Sequence, residues 1–296
     1  MKPKSAKSRS KADIRSGETR CIYCACTDAD EFETEHMPPR WMFKAKSRPS
    51  GLEFVSCRAC NNGTSTADLV AGFVARISPR YDQEDWKTAE ARSRQSALDV
   101  KAPGFLNEFF DPSRSQLSWV PDAAGILKRM VVMKADGPML KSYLDVFAAK
   151  LGMALYREHC GAPIPLNGGV FSAVFLNSGL MQENVATMLS MMPLGAGLTQ
   201  GPKNTSHDQF FYRFNTDDRS IIAALVGFHD GLHVSTIAFG DPVYKQKLVV
   251  PPMWRYVRPG ELLGMMPIQS RTWAVRQPQP PQPAPRAIDR LLAVLK

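Results

Sequence analysis

The sequence predicts an α+β protein, a small cysteine-stapled unit followed by a mixed α+β domain, on three observations. Two Cys-x-x-Cys pairs, Cys21/Cys24 and Cys57/Cys60, bracket residues 25–56 near the N-terminus. Residues 141–160 place Val146, Phe147, Leu151 and Leu155 on one face at helical spacing. Two apolar runs, 220–228 and 232–239, flank His229-Asp230-Gly231, and an Asp-Gly between such runs is a hairpin signal.

Taken in order, residues 1–17 read as a basic tail, and 18–78 as the stapled unit. Residues 79–275 read as a mixed domain of unassigned role, and 276–296 as a proline-rich tail with a short amphipathic end. The first 20 residues hold seven Lys/Arg against Asp13 and Glu18, which suits a solvated arm or a non-specific contact with a polyanion. After the second cysteine pair, Thr64 or Ser65 can cap a helix with an apolar stripe of Leu69, Val70, Phe73, Val74 and Ile77, ended by Pro79. Residues 80–100 are charged and without a strong stripe, as in a solvated helix.

A β-like run, 127–134, leads through Ala135-Asp136-Gly137-Pro138 into the long helix at 141–160, with Gly161 as its C-terminal stop. His159-Cys160 has no second ligand pair nearby and reads as helix-end packing. Met181, Met188, Met191 and Met192 suit gap filling in a core. GAGLTQG at 195–201 lacks the Lys-Ser/Thr of a phosphate loop and reads as a turn. QPQPPQPAP at 277–285 has polyproline character, followed by Ile288, Leu291, Leu292 and Leu295.

Composition narrows the function classes. A net charge of +9 favours a polyanionic partner. No window has the unbroken apolar length of a membrane span, so no membrane partner is expected. The Lys/Ser/Arg-rich opening lacks the apolar segment of a secretory leader. Four of the six cysteines sit in metal-type knuckles, which fits a reducing, cytoplasmic setting.

The chemistry concentrates in residues 21–68. Each Cys-x-x-Cys turn can aim two thiolates at one metal, so the four cysteines predict a closed structural Zn²⁺ site, with Cys26 a free thiol beside it. The stretch between the knuckles is long for a plain zinc ribbon and contains Glu35-His36-Met37-Pro38-Pro39. Arg40, Lys44, Lys46 and Arg48 follow, interleaved with Trp41 and Phe43, a composition suited to a nucleic-acid backbone. Asn61 comes directly after the second knuckle.

The order Cys-x-x-Cys, Thr-Glu-His-x-Pro-Pro, Cys-x-x-Cys-Asn resembles the zinc-binding branch of the HNH endonucleases, also called His-Me finger or ββα-metal nucleases. The resemblance covers about a sixth of the chain with specific motifs. It implies an N-terminal zinc-stapled ββα-metal finger in which His36 is the general base that activates a water. It further implies that Glu35 and Asn61 hold a catalytic Mg²⁺ or Mn²⁺, and that the substrate is nucleic acid, double-stranded DNA first. The chain departs from the family in two places: residues 37–56 contain no asparagine to orient the histidine, and Thr64 stands where the family often has lysine. The chemistry is coherent without the family name. A neutral imidazole can take a proton from water near pH 7, and oxygen ligands suit a hard divalent cation. The reading from another class is a catalytically decayed, zinc-dependent nucleic-acid-binding module. A third is a zinc scaffold for a partner-binding C-terminal domain.

Overall fold

Strand β1 (Phe32–His36) pairs antiparallel with β2 (Glu53–Cys57), Phe32 opposite Cys57 and His36 opposite Glu53. The chain in this computed structural model is described over residues 17–43, 48–49, 51–77, 89–121, 125–176, 199–200, 209–229 and 231–268. The expectations for the basic tail, Lys44, Lys46, Pro79, the methionine cluster, most of the 195–201 turn and the proline-rich end lie outside the described residues.

From β2 the chain passes straight into α1 (Arg58–Val74). The helix therefore starts earlier than the expected cap at Thr64 or Ser65. Cys57 already holds the N-cap backbone conformation, and the second knuckle is the first helical turn. Thr64 lies within the helix, buried, its hydroxyl donating to the Cys60 carbonyl at 2.7 Å. Leu69, Val70, Phe73 and Val74 form the expected buried stripe. Helix α2 (Ala89–Lys101) is less solvated than its composition implies, because Leu98 is fully buried and Arg94 and Gln95 are buried beside it. In α3 (Phe105–Phe109), Phe105 and Phe109 meet Phe73 of α1 edge-on, with ring centroids 6.1 and 5.8 Å away. Such aromatic pairs add stability beyond their buried area.

A two-stranded ribbon follows, β3 (Ser115–Pro121) and β4 (Leu127–Met133), and among the described residues it joins neither of the other sheets. The spine of the structure is α4 (Pro138–Cys160), with Pro138 in its first turn and Gly161 at φ +82° ending it. Those are the positions where proline and glycine suit a helix. One side of α4 packs on α1, the other on a six-stranded antiparallel sheet. That sheet comprises β5 (Gly169–Leu176), β6 (Thr199–Gln200), β7 (Phe210–Thr216), β8 (Ile221–Phe228), β9 (Leu232–Phe239) and β10 (Arg255–Val257), in the order β10-β5-β9-β8-β7-β6. The helix lies so close that a Cβ on Gly152 would fall 2.4 Å from Thr236 Oγ1, which only glycine avoids.

Strand alternation divides the sheet. Ile222, Ala224, Val226, Val234 and Ala238 face α4, whereas Phe171, Ala223, Leu225 and Ile237 build a smaller cluster with Trp254 on the other side. The first of these is one continuous core that includes Ile22, Met42, Phe54 and Val70 of the stapled unit together with Phe147, Leu151 and Phe228. The β8–β9 hairpin forms as expected, and its turn meets the finger: His229, buried, has its Nε2 2.6 Å from the Met42 carbonyl. At the C-terminal end of α4, the His159 ring stacks at 3.9 Å on Phe214 and Cys160 lies against Thr216, the packing role expected of them. Two short helices, α5 (Val243–Lys247) and α6 (Leu262–Met265), close the described chain, α6 against α1 and α4.

Candidate active site

The first knuckle is a turn closed by the Ala25 N–H donating to the Cys21 carbonyl at 3.0 Å and the Cys21 N–H donating to the Cys26 carbonyl at 2.8 Å. Ala25 sits at φ +60°, and the Ile22 N–H donates to the Val55 carbonyl, which fixes the turn against β2. The second knuckle is the junction of β2 and α1. Together they bring the sulfurs of Cys21, Cys24, Cys57 and Cys60 within 4.8 Å of one another, with Cys24 and Cys57 3.6 Å apart. Tetrahedral zinc with Zn–S bonds of about 2.3 Å requires sulfurs about 3.8 Å apart, so the donor set and spacing fit a metal ion such as zinc. The crowded thiols drive one another apart in acidity: hydrogen bonds from Cys24 and Cys60 pull Cys21 down, and Cys21 pushes Cys24 up to about 12. A bound cation relieves that competition, because it stabilises all the thiolates together.

His36 ends β1. Its ring is partly buried, Nε2 lies 3.0 Å from the Arg40 guanidinium, and Nδ1 is buried with no hydrogen-bond partner among the described residues. Burial and the nearby Arg48 and Arg40 charges hold its pKa below the ordinary histidine value, so the ring is neutral near pH 7.

Glu35 and Asn61, expected to share one cation, are engaged with different partners. Alternation along β1 turns Glu33 and Glu35 toward α1. Asn61 and Asp68, seven positions apart, stand on the same face of that helix. The Asn61 amide donates to Glu33 Oε2 at 2.9 Å. Glu35 is 3% exposed and lies 3.2 Å from the Lys150 ammonium of α4, which also donates to Asp68 Oδ2 at 2.6 Å. Lys150 is 0% exposed, and its ammonium stands 5.3 Å from the Tyr23 ring centroid, inside the first knuckle. Burial raises Glu35 to about 7, with Lys150 pulling against it, and burial raises Asp68 in the same way. Burial also opposes the Lys150 charge, but Asp68 and Glu35 outweigh it and its pKa is raised.

The expected Mg²⁺ or Mn²⁺ pair is thus not assembled: a protein ammonium already neutralises Glu35, and the carboxylate that meets Asn61 is Glu33. Arg48 also departs from its expected place on nucleic acid. Its guanidinium donates to Glu53 at 2.7 Å, to the Leu52 carbonyl at 2.9 Å and to the Pro38 carbonyl at 3.0 Å, closing the loop between the strands. Arg40 remains exposed beside His36, with Trp41 next to it. The two-residue period of Phe-Glu-Thr-Glu-His could have singled out Glu33; nothing local marks Lys150.

No family model, no curated protein and no solved structure matches the chain. The described residues contain no helix long and apolar enough to cross a membrane.

Proposed function

We propose that the chain is an HNH-type endonuclease that hydrolyses phosphodiester bonds of duplex DNA, with His36 as general base. The observation that carries this reading is the state of His36: a neutral imidazole at the end of a strand, its outer nitrogen beside an exposed arginine. Arg40 can only donate, so in this structure it occupies the lone pair of that nitrogen; once Arg40 turns from it to the phosphate, the nitrogen can take a proton from an attacking water. Arg40, positioned at the same nitrogen, supplies a cation that can bind the phosphate and offset the charge developing on it. The four-cysteine cluster keeps β1, β2 and α1 in place and has no part in the reaction. No step is assigned to a divalent cation, because Glu35 and Asn61 do not converge; the acidic and amide groups that do meet are Glu33 and Asn61.

A second reading, a nucleic-acid-binding module whose catalysis has decayed, is favoured by the Lys150–Glu35 contact, which consumes the carboxylate the family resemblance gives to the metal. Plasmid cleavage with added Mg²⁺ or Mn²⁺, run beside a gel-shift assay, separates the two. The nuclease reading expects wild-type protein to cut and His36→Ala to bind without cutting. Binding by both with cleavage by neither would replace it with the module.

A further inference from the structure

The contact on the outer side of the His36 ring decides where its proton lies. Arg40 carries only donors, so its approach to Nε2 at 3.0 Å makes that nitrogen an acceptor. A neutral imidazole has one N–H, which is then on Nδ1. Nδ1 is buried and has no hydrogen-bond partner among the described residues. The Glu35 carbonyl favours a proton on the ring, but it does not meet Nδ1 with the geometry of a hydrogen bond. The ring therefore holds a donor that has left water without gaining an acceptor, an unfavourable state.

The complementary defect stands across the hairpin. Glu53 is the ladder partner of His36. Its Oε1 accepts from Arg48 at 2.7 Å, whereas its Oε2 is buried with no donor among the described residues. Arg48 is tied as well to the Pro38 and Leu52 carbonyls, so it anchors the carboxylate by one oxygen only. The Met37 N–H donates to the Leu52 carbonyl at 3.3 Å, which makes His36 and Glu53 a non-hydrogen-bonded pair of the ladder. At such pairs the Cα atoms are about 4.5 Å apart and the two side chains lie close together on one face. A buried donor without an acceptor is thus matched, on the directly opposed residue, by a buried acceptor without a donor.

We propose that Glu53 is the positioning residue of the base: its Oε2 accepts the Nδ1–H of His36, which fixes the ring and keeps Nε2 unprotonated for the attacking water. The two atoms are not bonded in this structure. The backbone already sets the side chains next to each other, so rotation about their own bonds closes the pair. Glu53 touches neither water nor phosphate and acts through His36. The proposal rests on the reading of His36 as general base and adds the residue behind it.

The test joins nitrogen NMR of the ring to cleavage. In protein labelled with ¹⁵N-histidine, the His36 resonances are those that vanish in His36→Ala. Wild type should show a protonated Nδ1 and an unprotonated Nε2, with the Nδ1 proton deshielded and slow to exchange with water. Glu53→Gln keeps an oxygen for Arg48 but turns an amide N–H toward Nδ1, so the ring proton should move to Nε2. Nicking of supercoiled plasmid should then fall on the order of a hundredfold or more, with DNA affinity unchanged, because a base in the wrong tautomer cannot take the proton. Wild-type tautomer and wild-type nicking in Glu53→Gln would overturn the proposal and leave His36 as the base. Nicking lost with the tautomer unchanged would overturn it too, since the variant would then act through Arg48 and the loop. Should Glu53→Gln fail to fold, the wild-type proton decides: a deshielded, slowly exchanging Nδ1–H supports the proposal and rapid exchange overturns it. A wild type that does not nick DNA, or a His36→Ala variant that does, would remove the catalytic reading itself and this proposal with it.

Discussion

The Lys150 ammonium lies 2.6 Å from the Asp68 carboxylate, wholly buried between α4 and α1. This contact, with Glu35 at 3.2 Å, turns two packed units into one interlocked structure. It also brings a charge of the C-terminal part within reach of β1, one residue before His36. A buried charge is costly unless paired, and here one ammonium serves two carboxylates.

Removing Lys150 should therefore be far worse than removing an ordinary helix lysine. Lys150→Met leaves two carboxylates buried without a cation, and should cost about 3–5 kcal/mol in urea unfolding. Adding Glu35→Gln and Asp68→Asn to that variant should recover most of the loss. A stability unchanged in Lys150→Met would show that the triad does not hold the units together.

The thiolate cluster makes a simpler prediction. Metal analysis of the purified chain should find one zinc per molecule, and Cys57→Ser should lose it together with the fold of the finger, since structural zinc contributes folding free energy directly. Strong chelation should lower the unfolding temperature of the wild type. A full zinc content in Cys57→Ser would refute the four-cysteine site.

The pH dependence follows from His36. Its folded-state pKa is lowered, chiefly by burial, so the base form is complete at a lower pH than for a free histidine. Cleavage should rise with pH below about 6.5 and be level from there toward pH 8. The same shift has a stability sign. The unfolded chain binds this proton more readily than the folded one, so His36 makes stability fall as pH drops through about 6.5 and below. A His36→Ala variant that kept this acid-side loss in full would place its origin elsewhere.

Asn61 tests the hairpin-to-helix contact. Its bond to Glu33 is partly exposed, so Asn61→Ala should cost only about 1 kcal/mol of stability. Cleavage should fall by a much larger factor, on the order of a hundredfold, if the amide serves the reacting phosphate. Equal small effects on both would make Asn61 a purely structural residue.

What could be read from the sequence was what is local along it. The knuckles announce themselves because the two cysteines of each are three positions apart and share one turn. Glu35 and His36 are adjacent, and the Asp-Gly turn and alternation of the 221–239 hairpin are equally short-range. Cap preferences point to Thr64 as the start of α1, whereas the metal-type turn at Cys57 opens the helix. Arg48 looked like a nucleic-acid contact because a basic loop residue gives no sign of the three acceptors that fold around it. Lys150 was illegible for a stronger reason. Its partners stand 82 and more positions away, and Lys150 differs in nothing local from Lys141, the exposed lysine of the same helix.

In the proposed mechanism His36 is the base. The most direct measurement is nicking of supercoiled plasmid by His36→Gly, with and without added imidazole. The wild type should cleave, the variant should not, and nicking should partly return when imidazole supplies the missing ring. Undiminished nicking by His36→Gly, or no cleavage by the wild type with any divalent cation, would contradict it.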